Sequence, residues 1–457
     1  KNLGLRIKRL RLKVRGLRFV IFFVAGLVLL LSDIANAGKP IGKRIVLDNG
    51  MVLLISERHH LPIVSVNMII KAGSILEPEE KAGLASLTSE LLTEGTEKRT
   101  ATQISEEIEF VGGSVDTGAT YDYASATLSI LKKDIELGFD ILSDILLNPS
   151  FRDEEIQRKK DLIKGALKKR KEEPDWIASK EFDRVVFGRH PYGRDVSGTE
   201  ETMDRMTRED IISFHSRYYL PNNSIIAIAG DITEKEAIEI VNRYFGRWKK
   251  GKITPVLNPE PPEVSKPNVL KIHRDLTQAT IIIGHTGISR DNPDYYALSV
   301  ANYILGGGGF SSRLMGNIRD KLGLAYDVHS YFASTKEIGE FRIGLQTKNE
   351  SANLAIEEVI KELNRIKTEP VTDEEIEIAK GYLTGSFPLR MDTNSKVASL
   401  MVQIEFFNLG LDFPDRYKDL INAVTKEDIL RVVKKYIKPD RYTLIVVADQ
   451  NKAQIRY

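Results

Sequence analysis

The chain repeats one structural plan, and this repeat constrains its fold more than any other feature. The run 224–231, Ser-Ile-Ile-Ala-Ile-Ala-Gly-Asp, matches the run 442–449, Tyr-Thr-Leu-Ile-Val-Val-Ala-Asp. Each run follows a segment with basic, tyrosine and proline residues, at 217–221 and at 435–439. A separation of about 200 residues is far longer than a solenoid repeat, so it indicates the duplication of a whole domain.

A proline-rich stretch, residues 251–267, separates the two copies. Proline fixes φ and lacks a backbone donor, so this stretch cannot form a helix or a central strand. We interpret it as an extended linker between an N-terminal domain, residues 41–250, and a C-terminal domain, residues 268–457. The 457 residues, of which 42% are hydrophobic, are enough for two cores.

The hydrophobic pattern predicts α+β domains. Apolar residues alternate along the run 63–70, which is typical of a half-buried strand. Ile135, Phe139, Leu142 and Leu146 share one face of an amphipathic helix. Because several strand patterns also lie close together in sequence, we expect two duplicated domains, each a mostly antiparallel sheet covered by helices mainly on one face.

The first 37 residues have the three parts of a secretory signal peptide. A basic start leads into the apolar run 19–31, and Ala35-Asn36-Ala37 provides a cleavage site with small residues. The apolar run is shorter than the roughly 20 residues that span a membrane, although an uncleaved membrane anchor is the alternative. We therefore expect cleavage after Ala37, a periplasmic or secreted protein, and no stable membrane span after cleavage.

Charge and cysteine content exclude several classes of function. Residues 1–37 carry a net charge of +7, which leaves −5 on the remainder of a chain whose total is +2. A mildly acidic body argues against nucleic-acid binding. The chain has no cysteine, which excludes disulfides, thiol catalysis and thiolate metal sites.

One segment of the first half has the frame of a metallopeptidase site. Its parts are Ala-Gly-Ser-Ile-Leu-Glu at 72–77, Gly-Leu-Ala-Ser-Leu-Thr-Ser-Glu at 83–90 and Glu-Gly-Thr at 94–96. The segment resembles the active-site segment of the inverzincin metallopeptidases, which include pitrilysin, insulin-degrading enzyme and mitochondrial processing peptidase. The resemblance covers about residues 41–450 and implies a processing-peptidase-like fold.

The zinc-binding residues that the resemblance implies are missing. The family has His-x-x-Glu-His where this sequence has Ser86, Ser89 and Glu90. These positions share one helix face, on which two imidazoles would bind Zn²⁺ and a glutamate would act as the base. Serine is a poor zinc ligand, and Ser89 cannot take a proton from water near neutral pH. The family's third ligand falls at Gly165 or Ala166, so we expect no metal on this chain.

The seven histidines do not suggest a replacement site, since none forms H-x-x-x-H or H-x-x-E-H. His59 and His60 are adjacent, so their side chains would point in opposite directions in an extended segment. An exposed loop pair is therefore favoured over a metal site. His190 lies in a segment that resembles a structural part of the family.

A segment of the second half is similar to the part of the family that reaches toward the substrate. It runs from Leu305 through the glycines to Tyr326. By position, the resemblance gives this role to Arg319 and Tyr326, whose guanidinium and phenol can hold a substrate carbonyl and stabilise an oxyanion. In the processing peptidases a glycine-rich loop on the subunit without zinc helps to handle substrate. The corresponding candidate contacts are Gly306, Gly307, Gly308 and Gly309.

These resemblances predict a non-zinc subunit of a heteromeric inverzincin-type zinc metalloendopeptidase of the cell envelope. A sister chain with His-x-x-Glu-His would supply zinc, and this chain would supply Arg319 and Tyr326. The substrate would be a peptide or an unfolded polypeptide, bound by strand addition to a sheet edge, with strand 63–70 as the candidate edge. The alternative is a non-catalytic peptide-binding or assembly scaffold, and hydrolysis by this chain alone would need a further site.

Overall fold

The computed structural model describes residues 40–457, so the predicted signal peptide lies outside the described residues. Two sheets, one in each half of the chain, are covered by helices, which confirms the α+β prediction. Within residues 40–457, no helix is both long enough and apolar enough to cross a membrane.

A six-stranded sheet forms the centre of the first half. Its strands are β1 (Lys43–Val46), β2 (Val52–Glu57), β3 (Ile63–Ile70), β4 (Ser114–Ala119), β5 (Ala124–Leu131) and β6 (Ser224–Gly230). They pair in the order β1-β2-β6-β3-β5-β4, and all neighbours are antiparallel except β2 and β6. The sheet is thus mostly antiparallel, as the sequence predicts.

The first half contains helices that, apart from Pro174–Phe187, cover one face of this sheet. They are α1 (Leu84–Glu90), α2 (Ala101–Phe110), α3 (Ile135–Leu147), α4 (Asp153–Arg170), α5 (Pro174–Phe187), α6 (Glu200–Arg205), α7 (Arg208–Tyr218) and α8 (Glu234–Phe245). The predicted amphipathic helix is α3, whose Phe139, Leu142 and Leu146 are fully buried. They join Val64 and Met68 of β3 in one hydrophobic core.

The second half has a five-stranded sheet with a related topology. Its strands are β7 (Asn268–His273), β8 (Gln278–Thr286), β9 (Ala325–Ala333), β10 (Glu340–Lys348) and β11 (Thr443–Ala448). They pair in the order β7-β11-β8-β10-β9, and only β7 and β11 are parallel. Both sheets therefore place a late strand, β6 or β11, in parallel beside an early one.

The helices of the second half repeat features of the first. They are α9 (Tyr295–Asn302), α10 (Ala352–Thr368), α11 (Asp373–Ser386), α12 (Asn394–Phe406), α13 (Phe413–Asn422), α14 (Lys426–Tyr436) and α15 (Gln450–Ala453). Both α4 and α11 begin with Asp-Glu-Glu-Ile. Both α7 and α14 begin with a capping box, formed by Thr207 with Asp210 and by Thr425 with Asp428. These matches agree with a duplicated domain.

Each sheet is covered on its second face by one helix from the opposite half. Helix α12 packs on β3 and β6, where its Met401 joins Ile69 and Ala227 in a core. Helix α5 packs on β8 and β11, where its Phe182 joins Ile282 in a second core. Strand β3 is consequently buried on both faces, not half-buried, because the exchange of helices brings in residues more than 300 positions away.

The prediction that strand 63–70 forms a free sheet edge is wrong. Strand β3 is hydrogen-bonded to β5 on one side and to β6 on the other, so neither of its edges is free. Proximity to α1 in sequence does not fix strand order, because β6 inserts from a distant part of the chain. The outer strands are β1 and β4 in the first sheet and β7 and β9 in the second.

Direct contacts join the two halves. Arg44 of β1 forms an ion pair with Glu405 of α12 at 2.8 Å. The hairpin between β9 and β10 reaches the first half, where Glu337 contacts His190 Nε2 at 2.9 Å. Residues 251–267 contain no helix or strand, and Asn258 within them also donates to Glu337 at 3.1 Å.

Candidate functional site

Helix α1, which carries the degenerate motif, is anchored at its start by a buried carboxylate. The helix follows Gly83, whose φ of 96° is accessible to glycine at low cost. The Glu77 side chain accepts hydrogen bonds from the backbone N–H groups of Gly83 and Ala85 at 2.8 and 2.9 Å. Burial raises the pKa of Glu77 to about 8. The frame of the site is thus held by residues that do not depend on a metal.

Two of the three motif positions of α1 form a hydrogen bond with each other, and the third is enclosed by protein. Ser86 Oγ donates to Glu90 Oε1 at 3.0 Å, which uses the helical spacing of four residues. Ser89 is fully buried beside the phenol of Tyr219. At the place of the family's base there is therefore an enclosed hydroxyl, and Glu90 is the single carboxylate on this face.

The predicted third position lies on α4, which is tied by ion pairs to the turn that follows α1. Glu94 contacts Lys159 at 2.6 Å and also pairs with Arg158. Gly165 and Ala166 are exposed, and a Cβ on Gly165 would meet no heavy atom within 4 Å. Neither residue offers a ligand atom in its side chain.

These donors do not fit a zinc ion. Structural and catalytic zinc sites use three or four nitrogen, sulfur or carboxylate ligands. The motif positions on α1 and α4, which are Ser86, Ser89, Glu90 and Gly165, provide one carboxylate, that of Glu90. In the part of the chain from residue 40 onward, no group of three or more His, Asp or Glu side chains is placed to hold a metal. The geometry of the helix is retained, but the donor set of the family is not.

Two of the three histidines singled out in the sequence, His59 and His190, have protein partners. His59 Nδ1 lies 2.7 Å from Asp231 Oδ1, and this contact raises the pKa of the His59 imidazole. His60 is exposed. His190 is buried, with Nε2 on Glu337 and Nδ1 accepting from the backbone N–H of Tyr192. Its partners give His190 a structural role at the contact between the two halves.

The structure brings Arg319 and Tyr326 together. Arg319 lies in a π-helical segment, Met315–Lys321, and Tyr326 is the second residue of β9. The Arg319 guanidinium lies 5.3 Å from the ring centre of Tyr326 and 4.6 Å from that of Phe310. Both rings are open to solvent, since Tyr326 is 85% exposed and Phe310 70% exposed. Arg319 is thus oriented by two aromatic faces, with a phenol available to a ligand.

The four glycines have different surroundings. Gly306 is buried, and a Cβ there would lie 2.5 Å from Ser330 Oγ. A Cβ on Gly307 or Gly308 would lie 2.7 Å from a neighbouring side chain. Gly309 has a φ of 54° and open space around it. Close packing around the π-helical turn Tyr303–Gly307 therefore explains why residues 306–308 are glycines. Of the four, Gly309 is the one with space around it for a ligand.

A cleft between the two halves is a further feature, which the sequence analysis missed. It has a volume of about 600 Å³ and extends from Tyr326 across the second sheet to α5. Arg342 of β10 lies at its floor and pairs with Asp183 of α5 and with Glu340. The sequence signal for this cleft was Arg342, a single charged residue within the otherwise apolar run 341–345. Its partner Asp183 is distant in sequence, so the pair could not be predicted.

Comparison with family models and known proteins agrees with this architecture. Residues 52–200 match the insulinase (peptidase family M16) model, and residues 205–383 match the model of the peptidase M16 inactive domain. An uncharacterized zinc protease of Mycobacterium leprae is 32% identical over 355 residues, 75% of this chain and 78% of that protein. One of Bacillus subtilis is 27% identical over 358 residues, 78% of this chain and 86% of that protein.

Solved structures show the same fold. A crystal structure described as a peptidase M16 inactive domain from Pseudomonas fluorescens has a TM-score of 0.84 and 27% identity, and covers 89% of this chain and 98% of that one. A protease from Helicobacter pylori also has a TM-score of 0.84, at 20% identity, over 90% of this chain and 99% of that one. The two duplicated sheets, the frame around α1 and these similarities lead to one conclusion: the chain belongs to peptidase family M16.

Proposed function

We propose that this chain is the non-zinc subunit of a heteromeric M16-type metalloendopeptidase of the cell envelope. The zinc ion, the activated water and the general base belong to a sister chain with an intact His-x-x-Glu-His motif. This chain contributes Arg319 and Tyr326, which contact the substrate in trans. The observation that carries the proposal is a contrast between two sites: α1 lacks the donors for zinc, and Arg319 and Tyr326 form an oriented pair open to solvent.

The chemistry assigned to the pair follows from its residue types. Hydrolysis of a peptide passes through a tetrahedral intermediate with a negative oxygen, which hydrogen-bond donors stabilise in the transition state. The Tyr326 phenol can donate one such bond, and the Arg319 guanidinium supplies positive charge with several donors. The partial exposure of Arg319 beside the exposed Tyr326 leaves room for a substrate carried by a partner.

The substrate class is a peptide or an unfolded polypeptide. Strand addition needs an edge strand with free backbone groups, and β4 and β9 are outer strands of the two sheets. Strand β4 packs beside α1, and β9 carries Tyr326. These strands replace 63–70 as the candidate edges.

The test uses a reconstituted pair of this chain with a sister chain that carries His-x-x-Glu-His. In steady-state assays on a peptide, Arg319→Ala and Tyr326→Phe should each lower kcat by about 10²-fold, the usual effect of losing one oxyanion donor. Tyr382→Phe is the control, because Tyr382 is an exposed tyrosine that does not line the cleft. Unchanged turnover in both variants, with altered binding or assembly, would favour the scaffold function instead.

A further inference from the structure

A second, smaller pocket lies within the first half of the protein. The last residue of α4, helix α5, the loop 193–196 and the turn between β4 and β5 enclose a volume of about 250 Å³. Sites that hold a whole small molecule are larger, typically about 300–1,000 Å³. The pocket therefore has the size for one side chain or one chain end of a larger ligand.

Three positively charged side chains from separate elements line this pocket. Arg170 ends α4, Lys180 lies on α5, and Arg194 follows the 3₁₀ turn Pro191–Gly193. Within residues 40–457, none of the three lies within 4 Å of an acidic side chain. Lys180 Nζ is instead 4.8 Å from the ring centre of Trp176, and Arg194 Nη1 donates to a backbone carbonyl at 3.2 Å. Neighbouring cations without acidic partners repel one another, so an anion between them is stabilised.

Two acidic side chains also line the pocket, and both are engaged by other groups. Asp183 forms an ion pair with Arg342, and burial raises the pKa of the Asp183 carboxyl. Asp195 Oδ1 accepts a hydrogen bond from the backbone N–H of Ser197 at 2.7 Å. The pocket thus has three positive charges against the single charge of Asp195 that no cation neutralises, which makes it a basic pocket.

Two aromatic side chains form a wall of the basic pocket. Trp176 is half-buried and packs against the core of the first half, and the ring of Tyr121 packs on that of Tyr192 with 5.2 Å between ring centres. Burial raises the pKa of the Tyr121 phenol, so its O–H remains a donor at neutral pH. A carboxylate accepts charge-assisted hydrogen bonds from guanidinium and ammonium groups. The rings can cover the apolar part of the residue that carries it.

The basic pocket adjoins the cleft that Tyr326 borders. Ser179 of α5 lines both cavities, and it therefore stands between them. Arg170 lies on the same helix as Gly165, the degenerate position of the third zinc ligand, and five residues beyond it. A polypeptide that occupies the cleft can consequently extend into the basic pocket.

We infer that the basic pocket binds a carboxylate of the polypeptide substrate, supplied by an acidic side chain or by the C-terminus, with Arg170, Lys180 and Arg194 around it. The inference rests on the proposed function, because it takes the ligand to be the peptide. The size of the pocket and its aromatic wall suit a residue of a chain better than a small free anion, which would leave the rings uncovered. The pocket gives this chain a contact with the substrate away from Arg319 and Tyr326.

The test is a fluorescence titration of the full chain, without a sister chain, in a Trp248→Phe background where Trp176 is the only tryptophan. Three short acetylated peptides of alanine and serine are compared. The first has one glutamate and an amidated end, the second has glutamine and a free C-terminal carboxylate, and the third has glutamine and an amidated end. We expect at least one charged peptide to bind about tenfold more tightly than the neutral third peptide. The charged peptide that binds more tightly identifies the source of the carboxylate.

Three results would overturn the inference. They are equal binding of all three peptides, binding of none, and binding of inorganic phosphate as tight as that of the better peptide. The last result would make the pocket a site for a free anion. Calorimetry of the chain without the Trp248 substitution repeats each titration, so the outcome does not depend on the fluorescence background.

Variants locate the bound carboxylate. Arg170→Gln and Lys180→Gln should each reduce the affinity for the charged peptide about tenfold and leave that for the neutral peptide unchanged. Lys169→Gln is the matched control, because it removes the same charge from an exposed neighbour on α4 that does not line the pocket. Full affinity in both pocket variants, or an equal loss in the control, would show that the peptide does not bind there.

The two proposals fail in different ways. Peptide binding is measured on this chain alone, whereas the proposed function is measured as turnover with a sister chain. Selective binding of a charged peptide without any gain of turnover would retain the basic pocket and refute the catalytic subunit. Turnover that depends on Tyr326 but is equal for charged and neutral substrates, together with equal binding, would retain the subunit and refute the carboxylate site.

Discussion

Acid should destabilise the first half of the protein through a buried neutral histidine, His215. This residue lies on α7, where its Nε2 is 3.0 Å from the Leu146 carbonyl oxygen. Its ring stacks on Tyr219 with 4.6 Å between ring centres and meets the edge of Phe151. Burial lowers the pKa of His215 from 6.5 to about 4, because the charged imidazole loses its hydration.

The size of the effect follows from the two pKa values. The unfolded chain takes up the proton near pH 6.5, and the folded chain does not take it up until about pH 4, so protonation favours unfolding between these values. Acidification from about pH 7.5 to about pH 4.5 should therefore lower the free energy of unfolding by about 2.5 kcal/mol through His215 alone. Neutral His215 contributes its full stability above its unfolded-state pKa of 6.5, and this contribution is lost as the pH falls.

The assay is urea unfolding of the wild type and of His215→Gln at both pH values. The chain has two tryptophans, Trp176 and Trp248. Both pack against the hydrophobic core of the first half, so their fluorescence reports on the half that contains His215. The glutamine amide can still donate to the Leu146 carbonyl but cannot take up a proton. We expect the variant to be less stable than the wild type at neutral pH, and to lose about 2.5 kcal/mol less on acidification.

A second histidine provides the control for this prediction. The contacts of His59 with Asp231 and Glu57 raise its pKa, so its charged form favours the folded state at low pH and this contribution is lost as the pH rises. His59→Gln should therefore not reduce the loss of stability in acid. The reasoning about His215 would be refuted if wild type and His215→Gln lost the same stability between the two pH values.

Three further predictions concern the site and its frame. Gly306→Ala should lower the unfolding free energy by about 1–3 kcal/mol, since the added Cβ would lie 2.5 Å from Ser330 Oγ. The control is Gly316→Ala, where the added Cβ would meet open space and should not destabilise the protein. Thermal melts of the two variants make the comparison. In the reconstituted pair, Tyr326→Phe should lower kcat with little change in KM, because the phenol acts in the transition state. The family's donors can be restored by the combined changes Ser86→His, Ser89→Glu, Glu90→His and Gly165→Glu. The resulting variant should hold about one zinc per chain by elemental analysis, whereas the parent chain should hold none. Failure of the variant to gain zinc would show that the helix frame has also diverged.

Local features of the fold were accessible from the sequence. The spacing of Phe139, Leu142 and Leu146 predicts α3, and the repeated apolar runs predict β6 and β11, because helical and strand periodicities are local properties of the chain. The repeat itself predicts two related sheets. The sequence also located the degenerate positions on α1, because a motif on a single helix can be recognised from the spacing of its residues alone.

Long-range features were not accessible. The central position of β3 depends on β6, which follows it by more than 150 residues, and no local pattern specifies that pairing. The exchange of α5 and α12 between the halves is likewise a contact between distant segments. The cleft was missed for the same reason, because Asp183 and Arg342 meet only after both halves have folded.

The most direct test of the account is the zinc content and peptidase activity of this chain, of a His-x-x-Glu-His sister chain, and of the complex that the two form on co-purification. The account predicts that zinc is found on the sister chain, that this chain has neither zinc nor activity when alone, and that peptide cleavage rises strongly in the complex. Zinc-dependent hydrolysis by this chain alone would contradict the account, as would a mixture no more active than the sister chain alone.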